Sequence, residues 1–486
     1  MVNICLIQPP LYKTIKEFSP PLGLAYIAAY LKKFGYDSTI IDANVLKKDN
    51  ATLIKEISGK FDVIGITMVT ISVSVVLDLV YHLRQNDTKV KIIVGGIHPT
   101  VAYQSLLKMS ANIDIIVVGE GEITFLELIK LYEKDNRIFN DKDKMSSIDG
   151  IAFRDDNYGN IICTKPRELI GDLDTIPFPA FDKLPMEKYI PPATRNIGIP
   201  KGKAGFIVTA RGCLWKCTFC ASPTLWHKFR FRSAENIIEE IKLLVQRYGI
   251  RQIDFQDDTL TVNPERIEKI CDFLINNSVK IKWNGFSRVS DIKDIGLLEK
   301  MHRAGCYELQ FGIESANQAI LDLCNKMIRV EETEKIVSSC HKVGIKTLGY
   351  FIIGLPGETR ESVHETIEFA KELDLDFAAF YILLPYPGTV IFNELVRNGK
   401  IKDGFIEEFS KDYSVFKNPV ISACSLSIEE LCKLRYKAIK EFYLSRKFII
   451  RMFKGILKCP RDVFPFIQIF REFFYMIPKI ISRQKT

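Results

Sequence analysis

Along residues 1–135, short apolar runs rich in β-branched residues alternate with longer stretches whose apolar positions recur every three or four residues. The runs Ile4–Gln8, Ser38–Asp42, Val63–Thr67, Lys91–Gly95 and Asp114–Gly119 read as buried strands, and Leu22–Phe34, Asn50–Lys60, Ser72–Gln85 and Thr124–Lys134 read as helices. Strand, helix, strand at this rhythm predicts a Rossmann-like parallel sheet wound on both faces, with ligands at the carboxyl ends of its strands. Gly95-Gly96-Ile97-His98-Pro99-Thr100 and Gly119-Glu120-Gly121-Glu122 each follow such a strand.

From 136 to 203 the texture turns polar and then proline-rich, through Ile176–Pro185 and Tyr189–Pro192, which predicts a connecting segment with a small β-hairpin near Gly150–Cys163. Residues 204–400 repeat the alternation six times. Strands are expected at Gly205–Thr209, Gln252–Gln256, Lys280–Asn284, Glu308–Ile313, Thr347–Ile353 and Ala379–Leu384, each followed by a helical stretch. Six such units suit a partial, open TIM-like (β/α)6 barrel whose chemistry sits on the loops after the strands. Residues 401–486 read as a helical C-terminal region ending in a basic, aromatic tail. The fold class is α/β, and 486 residues fit two or three domains.

Composition adds a compartment and a charge asymmetry. The twelve cysteines show no framework of short even spacings, and Met1 to Pro10 reads as a first strand with neither a basic leader nor a long apolar region. A reducing cytoplasm is expected. Residues 440–486 hold eleven Lys or Arg against three Asp or Glu, a surplus that equals the net charge of +8 of the whole chain. No charge-free apolar stretch there approaches the ~20 residues that span a bilayer. Aromatics beside cations suit a helix lying among anionic headgroups at the inner face of the membrane, and equally a helical lid packed on the barrel. No base-reading motif accompanies the charge, so nucleic acid is not an expected partner.

The most specific signal is Gly212-Cys213-Leu214-Trp215-Lys216-Cys217-Thr218-Phe219-Cys220, just after the strand-like run that opens the barrel. Three thiolates on one short loop can hold three irons of a [4Fe-4S] cluster and leave the fourth without a protein ligand, and an unsaturated metal is a reactive one. A zinc knuckle would want a fourth Cys or His close by, and the nearest histidine is His227.

The spacing Cys-x3-Cys-x2-Cys, with Phe219 before its last cysteine, resembles that of the radical S-adenosylmethionine enzymes. The resemblance implies that the open iron chelates S-adenosylmethionine and that an electron from the cluster splits the sulfonium to a 5′-deoxyadenosyl radical, with flavodoxin or ferredoxin as donor. It further implies a site at successive strand ends. There Asp257 and Asp258 take the amino group, Arg288 pairs with the carboxylate, Glu314 and Ser315 stand at the ribose position, and Gly354 and Pro356 lie beside adenine. Bland roles for the same residues are turn and cap chemistry for the aspartates and glycines and a solvent-facing Arg288.

The N-terminal motifs decide the subclass. Leu22-Gly23, Thr67, Thr70, Gly95-Gly96, His98, Thr100 and Glu120-Gly121-Glu122 resemble the cobalamin-binding domain that precedes the barrel in cobalamin-dependent members, where glycines let a corrinoid approach the backbone. None of the six histidines has Asp two positions before it, so the Asp-x-His-x-x-Gly ligand to cobalt is missing and His98 is expected as a loop or amide contact. The expected domains are a cobalamin-binding domain over 1–135, a connecting segment over 136–203, a radical barrel over 204–400 and a C-terminal region over 401–486. The activity implied is methyl transfer to an unactivated carbon of a small or lipid-like substrate. The alternatives are a radical cyclase of the porphyrin-ester type and a non-catalytic cobalamin- or redox-responsive binding protein. A methylthiotransferase is disfavoured, because only Cys5 and Cys163 precede Cys213.

Overall fold

The computed structural model describes residues 2–458 except 12–18, 138, 140, 156–158, 190–202, 403 and 406–419. The tail beyond 458 and the Ile190–Pro192 stretch therefore lie outside the described residues. Two compact units form, one from Met1–Lys188, Thr209–Glu240 and Leu384–Ala423, the other from Tyr189–Val208, Ile241–Leu383 and Cys424–Thr486.

In the first unit the strands β1 (Ile4–Gln8), β2 (Thr39–Asp42), β3 (Val63–Thr67), β4 (Lys91–Gly95) and β5 (Ile115–Val117) are joined by helices α1 (Leu22–Lys33), α2 (Asn50–Ile57), α3 (Val73–Asn86) and α4 (Ile97–Met109), and helix α5 (Gly121–Lys134) follows β5. Strands β1 to β5 pair in parallel in the order 2-1-3-4-5, a doubly wound arrangement. Period-two alternation sends Ile4, Leu6, Ile93, Ile115 and Val117 to one face, against α1 and α5, and Cys5, Ile7, Ile92, Val94 and Ile116 to the other, against α2, α3 and α4. The expected hairpin is present as β6 (Ile151–Arg154) and β7 (Ile161–Cys163), and it extends this sheet antiparallel from β5. Helix α4, which is not among the expected helices, begins directly after Gly96 and carries His98 in its first turn rather than on a loop.

The chain continues through β8 (Ala204–Ile207), the short antiparallel pair β9 (Ala210–Arg211) and β10 (Arg230–Phe231), then β11 (Gln252–Phe255), β12 (Lys282–Ser287), β13 (Cys306–Glu314), β14 (Lys346–Ile353) and β15 (Phe377–Ile382). The second unit is built on β8 and β11–β15, which form one six-stranded parallel sheet in sequential order. Strand ends fall within a few residues of the sequence reading, because buried parallel strands read as continuous apolar runs. The register shifts between Gly312 and Glu314 in β13, and Glu314 takes φ +67°, a left-handed conformation uncommon for a side chain with a Cβ.

Two turns of the second unit have measurable consequences. Gly305, at φ +98°, turns the chain into β13, and a Cβ there would lie 2.1 Å from the Ile281 carbonyl oxygen. Gly305→Ala is expected to cost about 2 kcal/mol or more through backbone strain, seen as an earlier urea midpoint by circular dichroism. In the turn after β14, the buried Glu358 accepts from Gly354 N at 2.6 Å and Leu355 N at 3.1 Å, and burial outweighs those bonds to push its carboxyl up to about 7. A carboxyl whose pKa is raised on folding favours the fold below its unfolded value near 4.5, and that contribution is lost as pH rises through 7. Urea midpoints of the wild type should therefore fall between pH 5 and pH 8 more steeply than those of Glu358→Gln, whose amide oxygen accepts the same two bonds at either pH.

Candidate active site

The cysteine loop lies in the first unit and is closed at its base by the β9–β10 ladder. Cys217 is buried, while Cys213 and Cys220 are partly exposed, and none of the three is in a disulfide. Cys220 N donates to Cys217 O at 3.1 Å and Ser222 N to the Cys220 sulfur at 3.4 Å, so the last turn is shaped around the thiols. Among the described residues no three His, Cys, Asp or Glu side chains converge as ligands of one ion would. A cluster has no such requirement, since each thiolate meets a different iron. Three thiols on a short loop, with Phe219 half-buried beside the last, fit a [4Fe-4S] cluster.

A segment that sequence reasoning passed over also grips this loop. Thr224 Oγ1 donates to Gly388 O at 2.7 Å and Ile391 N to Thr218 O at 3.2 Å. Gly388 sits at φ +85°, where a Cβ would come within 2.9 Å of the Thr224 methyl. The Pro-Tyr-Pro-Gly-Thr run at 385–389 was a signal for such a turn.

At the carboxyl edge of the first sheet, the predicted cobalamin residues divide by what they touch. Gly96 takes φ +112° and is packed so that a Cβ would lie 2.7 Å from Met68 O, whereas a Cβ on Gly23 or on Gly119, at φ +89°, would meet nothing within 4 Å, so those two positions leave space beside bare backbone. Thr100 bridges two loops, its hydroxyl donating to Gly96 O at 2.8 Å and accepting from Gly119 N at 3.1 Å. His98 is fully buried with Nδ1 3.1 Å from Thr70 Oγ1, and its Nε2 has no hydrogen-bond partner. Burial pushes this imidazole down to about 4, so it is neutral at pH 7. Glycine cradles and an orphaned ring nitrogen fit a bulky, amide-rich ligand such as a corrinoid. Leu22 and Gly23 open helix α1, and Thr67 ends β3. Glu120 and Glu122 have partners the sequence did not announce: both carboxylates are buried in ion pairs with Arg211, and Glu120 also pairs with Arg230. They are spent on the base of the cysteine loop.

In the second unit, Asp257 and Asp258 follow β11 as expected but part company: Asp257 is buried 3.9 Å from the Arg266 guanidinium, and Asp258 is exposed. The helix cap next to them is Asn263, which accepts from Arg266 N at 3.0 Å, so neither aspartate is that cap. Arg288 is buried rather than solvent-facing and donates to the Lys326 carbonyl. Lys326 in turn pairs with Glu314 at 2.6 Å, inside the left-handed kink that ends β13. Ser315 is buried against Thr366 at 3.2 Å, and Gly354 turns the chain at φ +93° ahead of the half-buried Pro356.

One face of the second sheet is polar in a way no motif announced. Tyr307 accepts from Gln252 and from Asn284, each at 2.8 Å; Gln310 donates to Asn284 and Glu308 at 3.1 Å, and Tyr350 donates to Gln310 at 2.9 Å. Beyond this layer Phe286, Tyr350 and Tyr381 make a row of near-parallel rings, with centroids 5.9 and 6.1 Å apart.

Comparison with known proteins agrees with this layout. The Radical SAM superfamily profile matches residues 207–370, and the B12 binding domain profile matches residues 10–129. An uncharacterized methyltransferase, PH0819, of Pyrococcus horikoshii is 34% identical over 459 residues, which span 93% of this chain and 94% of the relative. The anaerobic magnesium-protoporphyrin IX monomethyl ester cyclase of Rubrivivax gelatinosus is 29% identical, over 88% of this chain and 75% of the relative. The radical S-adenosylmethionine methyltransferase TsrM of Kitasatospora setae, solved with cobalamin and a [4Fe-4S] cluster bound, shares the fold with a TM-score of 0.65 at 18% identity, over 82% of this chain and 75% of that one. Cysteine loop, doubly wound domain and parallel β/α sheet thus stand together in one inherited arrangement, and the chain belongs to the radical SAM enzymes that carry a B12-binding domain, with a [4Fe-4S] cluster, S-adenosylmethionine and cobalamin as cofactors.

Proposed function

We propose that this enzyme is a radical methyltransferase acting on an unactivated carbon of a small, largely apolar substrate. The observation that carries the reading is the three-cysteine loop packed in the same compact unit as the doubly wound sheet, which pairs a radical source with a corrinoid domain. Bound there, the cluster supplies the electron that cleaves the sulfonium, and cobalamin carries the methyl group. Cys213, Cys217 and Cys220 hold the cluster beside Phe219. Asp257 and Asp258 receive the ammonium of S-adenosylmethionine, and Arg288 its carboxylate. Glu314 and Ser315 hold its ribose, while Gly354 and Pro356 flank adenine. On the other cofactor, Leu22, Gly23, Thr67, Thr70, Gly95, Gly96, His98, Thr100 and Gly121 approach the corrinoid. The buried layer of amides and the ring row Phe286–Tyr350–Tyr381 orient the substrate and keep water away, and the half-exposed Tyr381 favours an apolar, unsaturated surface over an anionic one. Flavodoxin or ferredoxin supplies the electron, and eleven described cysteines without a disulfide suit a reducing cytoplasm.

The C-terminal helix Arg446–Lys458 supports a membrane contact as well. Its inner side is anchored on its own unit: Phe448 is buried with ring centroids 4.9 Å from Tyr443 and 5.7 Å from Phe442, and Arg451 pairs with Asp374. Its outer side exposes Ile450, Phe453 and Leu457, the last at 82%, among the exposed cations Arg446, Lys447 and Lys454. No helix among the described residues is long and apolar enough to cross a membrane. An apolar stripe edged by cations is the pattern of a helix resting in anionic headgroups, and it points to a lipid, isoprenoid or porphyrin-like substrate.

Two measurements check these readings. Anaerobically reconstituted protein with methyl-labelled S-adenosylmethionine should release 5′-deoxyadenosine, and Cys217→Ala should reduce that release to background; a wild type that holds the cluster yet never releases deoxyadenosine would sink the enzyme reading. The triple variant Ile450→Ser, Phe453→Ser, Leu457→Ser should bind phosphatidylglycerol vesicles about tenfold or more weakly than wild type in a sedimentation assay. Equal binding removes the membrane contact and leaves the chemistry untouched.

A further inference from the structure

The ladder that closes the cysteine loop brings two like charges together. Arg211 and Arg230 are direct cross-strand partners in a pairing only two residues long, and like charges directly opposite one another destabilise such a pair. Both guanidinium groups are also withdrawn from water, with 10% and 3% of the side chain exposed. What offsets this comes from the junction of β5 and α5, where Glu120 precedes the helix and Glu122 lies in its first turn. Glu120 Oε1 accepts from Arg211 at 2.7 Å and from Arg230 at 2.9 Å, and Glu122 accepts from the other terminal nitrogen of Arg211. The second oxygen of Glu120 takes Ile170 N at 2.8 Å, and Arg230 donates to Ile170 O at 2.7 Å. The ring of Trp226 lies 5.6 Å from the Arg230 guanidinium and 6.0 Å from that of Arg211, with Tyr26 5.5 Å from Arg211 on another side. Two cations and two carboxylates thus form a neutral, buried knot.

We propose that Glu120 and Glu122 are positioning residues for the cysteine loop: by neutralising the arginine pair at its base they close residues 212–229 and pin the loop to the carboxyl edge of the cobalamin-type sheet. In this assignment the Glu-x-Glu sequence serves the cluster, and the separation between cluster and corrinoid is set by a salt-bridge knot inside one compact unit. The cofactor part of the assignment rests on the function proposed above; the closing of the loop does not.

The first test needs no cofactor. Lys216 and Lys228 lie exposed within the loop, so trypsin reports its opening in the cluster-free protein. Glu120→Gln, which strips charge from the shared carboxylate, should raise cleavage at these two lysines severalfold, and Glu122→Gln should raise it less; Arg211→Lys, which keeps the charge, should fall near wild type. Unchanged cleavage in both glutamine variants overturns the proposal. The second test uses the loaded protein. Hydroxocobalamin affinity, followed by its visible spectrum, should be unchanged in Glu122→Gln, while the enhancement of cob(II)alamin electron-spin relaxation by the reduced cluster should drop severalfold. Weakened cobalamin binding with the cluster signal intact would return the carboxylates to the corrinoid and refute the assignment. Should Glu120→Gln fail to fold, Glu122→Gln decides both tests, because it leaves all contacts of Glu120 in place. A wild type that takes up no cluster defeats the cofactor reading alone, since the trypsin result stands without it.

Discussion

Setting Arg211 and Arg230 side by side across a two-residue ladder demands negative charge from elsewhere in the chain, and burying both guanidinium groups makes the demand stricter. Glu120 and Glu122 meet it from the start of α5, about ninety residues before Arg211 in sequence. On the inference drawn above, the cysteine loop depends on this arrangement, because the ladder that closes it is only two residues long and cannot hold two buried like charges by itself. A reactive metal site needs its ligands held to within a fraction of an ångström, and rigid charge pairs on the end of a parallel strand supply that more firmly than a free loop does.

Parallel sheets explain why the residues proposed for the two cofactors collect where they do. Every right-handed crossover returns the chain to the same edge, so each strand delivers its next loop to one line of positions. In the first sheet that edge gathers the Gly96 and Gly119 turns and the first turn of α4 with Thr100 and the buried His98. In the second it gathers Asp257, Arg288, Glu314 and Gly354. Left-handed backbone at Glu314, paired with Lys326, is conformational strain held in place by a buried ion pair, the kind of local cost that functional loops retain.

The polar layer on the second sheet follows from the same geometry. Side chains two apart on a strand share a face, which puts Glu308 and Gln310 together beside the in-register Asn284, and hydrogen bonds through Tyr307 and Tyr350 join Gln252 and the next strand to them. On the function proposed above, this layer would keep the sheet ordered, and the ring row Phe286–Tyr350–Tyr381 would offer a surface to an apolar substrate. On the C-terminal helix, one side chain set serves two ends: Phe448 and Arg451 fasten it, and Ile450, Phe453 and Leu457 remain outward.

Much of this was legible in the amino-acid order, for definite reasons. Buried parallel strands leave unbroken apolar runs, so eleven strand positions in the two parallel sheets could be placed to within a few residues. The spacing of Cys213, Cys217 and Cys220 is local chemistry and required no fold. Helix α4 was missed because Gly95, Gly96 and Pro99 read as turn signals, although a proline in the first turn of a helix sacrifices no hydrogen bond. The ion pairs of Glu120 and Glu122 were not legible, because a carboxylate after a strand has no visible partner until the chain folds. Ion pairs across ninety residues, the amide layer and the two-sided character of the last helix are long-range pairings, and periodicity carries no information about which distant side chain answers a charge. Local order in the sequence thus determined the elements and the metal-binding loop; only the tertiary structure decided which groups hold that loop in place, because neutralising a buried charge is a property of positions in space.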